Sequence, residues 1–68
     1  MIQSKDELNA AYSWLAPGPR ELLWKALQEN SDAVIEGADF SEQQKRLLLE
    51  IARRERRGLR SQPGDFFK

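Results

Sequence analysis

SEQQKRLLLEIARRERRGLR, residues 41–60, decides the fold. Ser41 with Gln44 three residues later is a capping box, in which each side chain satisfies a backbone donor at a helix start. At about 100° per residue, Leu47, Leu48, Ile51, Ala52 and Leu59 share one side, and Arg46, Glu50, Arg53, Arg57 and Arg60 share the other. The stretch reads as an amphipathic helix. Glu55 falls in the middle of its apolar side, and burying an unpaired carboxylate is costly. Core contact is therefore expected to end near Ala52, with the next turn projecting beyond the bundle. Gly58 is a helix terminator by type, and Pro63 and Gly64 oppose continuation past Gln62.

The residues before this helix carry the same kind of signal. In SKDELNAAYSWL, residues 4–15, Ser4 and Glu7 form another capping box, and Leu8, Ala11, Tyr12 and Leu15 succeed them at one-face spacing. APGP at 16–19 stops this first helix, because Pro17 disfavours helical backbone at Ala16 and Gly18 permits a reversal. Pro19 suits the first turn of a second helix, where its missing N–H is not needed. Leu23, Leu27, Asn30 and Val34 then line one face, with Ala26 and Ala33 beside them. NSD at 30–32 leaves two versions open: one helix to Glu36, or a helix to Glu29 and then a short one capped by Ser31. Either ends near Gly37. Strand signals are poor and no repeat is present, so the expected fold is all-α. It is a small three-helix bundle over residues 1–60, with 61–68 as a flexible C-terminal tail.

Composition narrows the function. A chain of 68 residues is one domain near the lower size limit for a single core, and 40% apolar content suffices to build one. No cysteine and no histidine are present, which removes thiolate chemistry, the usual proton shuttle and the commonest metal ligand. The serines have no histidine base, and no glycine-rich phosphate loop or nucleophile elbow occurs. Enzyme activity is not expected, and neither a cofactor nor a metal is implied. Asp32, Glu36 and Asp39 would share one side of a continuous helix, but they lack the spacing of a calcium loop. MIQSKDEL carries charges where a secretory signal needs an apolar run, and nothing approaches the roughly 20 apolar residues that span a bilayer. A cytoplasmic protein with no membrane role is the expectation.

Eleven basic and eleven acidic groups cancel, yet they are segregated. Residues 1–44 hold three basic and eight acidic side chains, and residues 45–68 hold eight basic and three acidic, leaving about −5 and +5. The arginines admit two readings: guanidinium groups that grip carboxylates or phosphates, or cations that complement a helix C-terminus and pair locally, as Glu50 with Arg54 or Arg46. The acidic groups solvate the second helix, meet the arginines within the bundle, or meet those of another copy in a salt-sensitive head-to-tail homo-oligomer. Trp14 and Trp24 lie off the main apolar stripes. They either close the end of a small core or flank the APGP turn as a docking patch. Tyr12 and Phe40 read as core. Phe66 and Phe67 either pack back onto the bundle or serve as an apolar anchor for a partner.

An arginine-rich helix end with a short aromatic tail after it is faintly similar to small head-to-tail joining proteins of long-tailed phages. Those insert a β-hairpin where this chain has PRELLWKALQE, a mismatch across the middle third, and the chain is not assigned to them. The favoured expectation is a non-enzymatic protein-interaction module, a regulator or inhibitor from a mobile element, docking a protein partner through its segregated charged faces. Its site residues are Arg46, Arg53, Arg54, Arg56, Arg57 and Arg60, with Trp14, Trp24, Phe66 and Phe67. The alternative is a nucleic-acid-binding protein that uses Arg53, Arg54, Arg56, Arg57 and Arg60 as a dimer, against which net neutrality weighs.

Overall fold

Two serines start helices as their spacing anticipates, in a computed structural model that describes residues 2–66. Ser4 caps α1 (Lys5–Ala11), its hydroxyl accepting from the Glu7 N–H at 3.1 Å. The reciprocal bond comes from one residue earlier than the capping box implies: the Glu7 carboxylate accepts from the Gln3 N–H at 3.2 Å. Ser41 caps α4 (Glu42–Arg56) by accepting from the Gln44 N–H at 3.2 Å. Between them run α2 (Pro17–Glu29) and the short α3 (Ala33–Glu36). The chain is an all-helical bundle of three main helices and one short one, with no strand among the described residues.

α1 ends earlier than its apolar spacing implies. Tyr12 leaves helical geometry at the C-cap, and Tyr12 and Leu15 reach the core from the turn beyond it. Both Pro17 and Pro19 fall in the first turn of α2, where neither costs a hydrogen bond, and Pro19 is buried. At the other end Asn30 adopts the left-handed conformation at φ 49°. Its N–H bonds the Leu27 carbonyl at 3.3 Å, and the Ser31 N–H reaches back to Ala26 at 3.1 Å, the crossed pair of bonds that closes a helix. Helix two is therefore broken at Asn30. Asp32 stands at the N-cap position of α3, while the Ser31 hydroxyl accepts from the Ala33 N–H at 3.3 Å.

That break corrects the expected core face. A continuous helix places Asn30, Ala33 and Val34 on the stripe of Leu23, but resetting the helical phase exposes Asn30 and Ala33, leaves Val34 half-buried and buries Ile35 completely. Ile35 joins Leu8, Leu23, Leu48 and Ile51, all fully buried. α2 is the central element. It packs against each of the other helices, and α4 packs against α2 and α3. The backbone of α1 approaches α2 but not α4, so whatever joins α1 to α4 is made by side chains. Phe40 is half-buried rather than central, lying against the start of α2 beside Gly18.

α4 ends at Gly58 in left-handed backbone at φ 78°, with Gly58 N–H on the Glu55 carbonyl at 2.9 Å and Leu59 N–H on that of Arg54 at 2.8 Å. The reversal turns Leu59 out to 54% exposure, against its expected place on the apolar side. Residues 61–66 lie folded against the bundle. Ser61 is fully buried, Pro63–Asp65 form a turn of 3₁₀ helix, and Phe66 packs on the core. Phe67 lies outside the described residues.

Asn30 supplies a direct check. Glycine visits left-handed backbone freely, whereas alanine there costs about 1–2 kcal/mol. Asn30→Gly is expected to preserve or raise the urea midpoint, and Asn30→Ala to lower stability by about 1 kcal/mol. If alanine leaves the midpoint unchanged, the helix does not close at Asn30.

Candidate functional site

Glu55 organises the arginine-rich end, in a way its position in the sequence conceals. It lies on the apolar side of α4 and is only 3% exposed, so the helix does not project past Ala52. The cost of burying a carboxylate is met by two donors. The Tyr12 hydroxyl donates to Oε2, and the Arg60 Nε–H donates to the same oxygen at 2.9 Å. Tyr12 in turn accepts from the Ser61 N–H at 3.2 Å. A fully buried tyrosine needs such a partner for its O–H, and a buried carboxylate needs a cation or donor. Each meets the requirement of the other. Burial, and then the hydrogen bond to the Glu55 carboxylate, push the Tyr12 phenol up to about 12.

This network removes Arg60 from the outward stripe on which helical periodicity places it. The turn at Gly58 lays its still exposed side chain back over Glu55, with a further approach to Glu7 of α1 at 3.8 Å. Two other arginines are also engaged within the chain. Arg56 Nη1 lies 2.5 Å from Asp32 Oδ1, while its Nε and Nη2 are buried without a hydrogen-bond partner among the described residues. Arg54 bonds Glu50 at 3.3 Å and Asp65 at 3.3 Å. Asp32–Arg56 and Glu7–Arg60 both join the acidic half of the sequence to the basic half. Part of the segregated charge is thus folded against itself.

Arg46, Arg53 and Arg57 remain exposed, and no carboxylate among the described residues is in ion-pair contact with them. Helical geometry puts them on one outward strip of α4 with Glu42 and Glu50, and half-buried Leu49 lies at its edge. Beside this strip a groove of about 450 Å³ runs between Gln43, Leu47 and Glu50 of α4 and the ring of Phe66, with Arg46 at its wall.

The aromatic candidates separate. Trp14 is half-buried, tilted against Tyr12 at 5.8 Å between ring centroids and stacked on Phe66 at 6.2 Å and 25°. Trp24 is half-buried on the flank of the core. No ring contact joins the two tryptophans among the described residues. No family model, curated protein or solved structure matches the chain. Among the described residues, no helix is long and apolar enough to cross a membrane. No group of three acidic side chains is placed to share a metal ion there either.

Sequence reasoning missed Glu55, Ser61 and the turn of Arg60 back over Glu55. The signal for Glu55 was a tyrosine and a carboxylate each occupying an apolar position, two polar groups that can satisfy one another.

Tyr12→Phe leaves Glu55 and the Ser61 N–H each short of a partner and is expected to cost about 1–3 kcal/mol in chemical denaturation. The phenol also sets a pH dependence. An unfolded chain releases this proton near the ordinary value of 10, a folded one near 12, so stability falls as pH rises between those values. The melting temperature should drop more across that window in the unaltered chain than in Tyr12→Phe; equal slopes would show that the phenol is not held by this network.

Proposed function

We propose that the protein is a non-enzymatic interaction module that docks an acidic protein surface through the outward strip of α4. The observation that carries this reading is the mixed run Glu42, Arg46, Glu50, Arg53, Arg57 along one helix face: three exposed guanidinium groups spread over about 16 Å, with Glu42 ahead of them and half-buried Glu50 between Arg46 and Arg53. Only the arginines without an internal carboxylate are offered; Arg54, Arg56 and Arg60 hold the fold. Arg46, Arg53 and Arg57 pair with carboxylates, Glu42 accepts from a basic or amide group, and Leu49 gives an apolar contact at the edge.

The same mixed run argues against a nucleic-acid backbone. A phosphate chain is repelled by interleaved carboxylates, and affinity for it rises with the number of phosphates neutralised. Three free arginines on a chain of zero formal net charge give little of that term. Mixed charge instead favours one orientation and one register on a protein surface, which is where charge complementarity contributes most.

Arg46, Arg53 and Arg57 changed together to glutamine should leave the circular dichroism and melting temperature close to those of the unaltered chain, because none of the three is in an ion pair among the described residues. In affinity capture from a native lysate at low salt, the unaltered chain should retain a discrete protein that this variant loses. Fluorescence anisotropy with a random oligonucleotide at the same salt should show no binding. Oligonucleotide binding that falls steeply with salt and disappears in the variant would replace this reading with the nucleic-acid one.

A further inference from the structure

Asp65 and Phe66 sit in the fold as a ligand sits in a receptor. Arg54 contacts both, with Nη1 3.3 Å from the Asp65 carboxylate and the guanidinium carbon 4.9 Å from the centroid of the Phe66 ring. The Trp14 indole stacks on the same ring at 6.2 Å. A cation over the face of a benzene ring and an aromatic plane beside it recognise the ring by its charge distribution, while the same cation reads the preceding carboxylate. The Gln62 N–H donates to Asp65 at 2.8 Å and holds the acid and the ring in one short turn. The segment is buried only at its root. Ser61 is fully buried and bonded to Tyr12, whereas Gln62, Gly64 and Asp65 are exposed and Phe66 is half-buried.

We propose that Trp14 and Arg54 form a docking socket for an extended segment in which an acidic residue directly precedes an aromatic one. Its occupant in trans is a partner protein carrying such a segment, and this chain's own Asp65 and Phe66 fill it in cis. The socket is separate from the outward strip of α4, and it uses an arginine that the strip does not. Filling in cis lowers the apparent affinity for any competitor by the fraction of molecules in which the socket is open. A tether of so few residues beyond Ser61 gives the cis ligand a high effective concentration, and a partner with a stronger segment or a second contact displaces it.

The test uses the full chain and a capped peptide, QPGDF, which copies residues 62–66. Asp65→Asn with Phe66→Ala empties the socket while leaving every fully buried side chain in place. The emptied variant should bind the peptide at least about tenfold more tightly than the unaltered chain does, with the Trp14 indole NMR signal shifting on titration. The control peptide QPGNA should not bind, and adding Arg54→Gln to the emptied variant should abolish binding. Equal affinity in the two chains, equal binding of the two peptides, or no binding at all would overturn the proposal. So would a concentration-dependent dimer of the unaltered chain that the emptied variant loses, because the occupant would then be a second copy. If the double variant fails to fold, excess QPGDF added to the unaltered chain should still shift the amide signals of Gln62 to Phe66; unchanged signals would refute the socket.

Discussion

One hydrogen bond between two side chains 43 positions apart, from the Tyr12 hydroxyl to the Glu55 carboxylate, ties the turn after α1 to the end of α4. The backbones of α1 and α4 do not approach each other, although both helices give side chains to one apolar core. The polar contact adds a directed side-chain link to that packing. It also helps set the path of the chain beyond α4. A buried carboxylate demands more than one donor, so Arg60 is drawn back over it, and Ser61 enters the interior behind it to reach the same phenol. Glu55 on the apolar side of α4 is thus one of the contacts that fold residues 59–66 back, beside the Arg54–Asp65 pair and the packing of Phe66 on Trp14. A carboxylate held this way constrains geometry more than it adds stability, since an apolar replacement of similar volume is often as stable.

Most of the architecture was legible because it derives from local chemistry. Ser4 and Ser41 cap their helices through one rule, and Leu48, Ile51 and Ala52 are buried as their spacing requires. The second helix was legible only as two alternatives. The choice between them turns on Asn30 accepting left-handed backbone, which periodicity does not encode, and the phase of Ile35 depends on that choice. Leu59 and Arg60 depart from their expected faces for a related reason: helical angles do not carry past Gly58, where the helix has already closed. Glu55 is a different case. Its burial depends on Tyr12 and Arg60 together, a tertiary arrangement, and reasoning about one helix at a time sees only an isolated charge.

The arginines show how a fold sorts residues of one type. Six candidates stand on equal footing in the sequence, and the structure divides them into Arg54, Arg56 and Arg60, engaged within the chain, and Arg46, Arg53 and Arg57, facing solvent. The division is set by the acidic partners that the topology brings near: Asp32 at the start of α3, Glu7 of α1, and Glu55 and Asp65 close by in sequence. The tryptophans divide in the same manner. Trp14 is drawn into the packing of Phe66, and Trp24 stays on the flank.

The reversal at Gly58 has a consequence for synthesis. Because Arg60 and Ser61 complete the contacts of Glu55 and Tyr12, a chain emerging from the ribosome must leave the tyrosine short of its final partners until position 61 has cleared the exit tunnel. The fold is sealed by some of the last residues translated in this stretch, and a nascent chain stalled before them would present an unfinished interior to the chaperones that meet it.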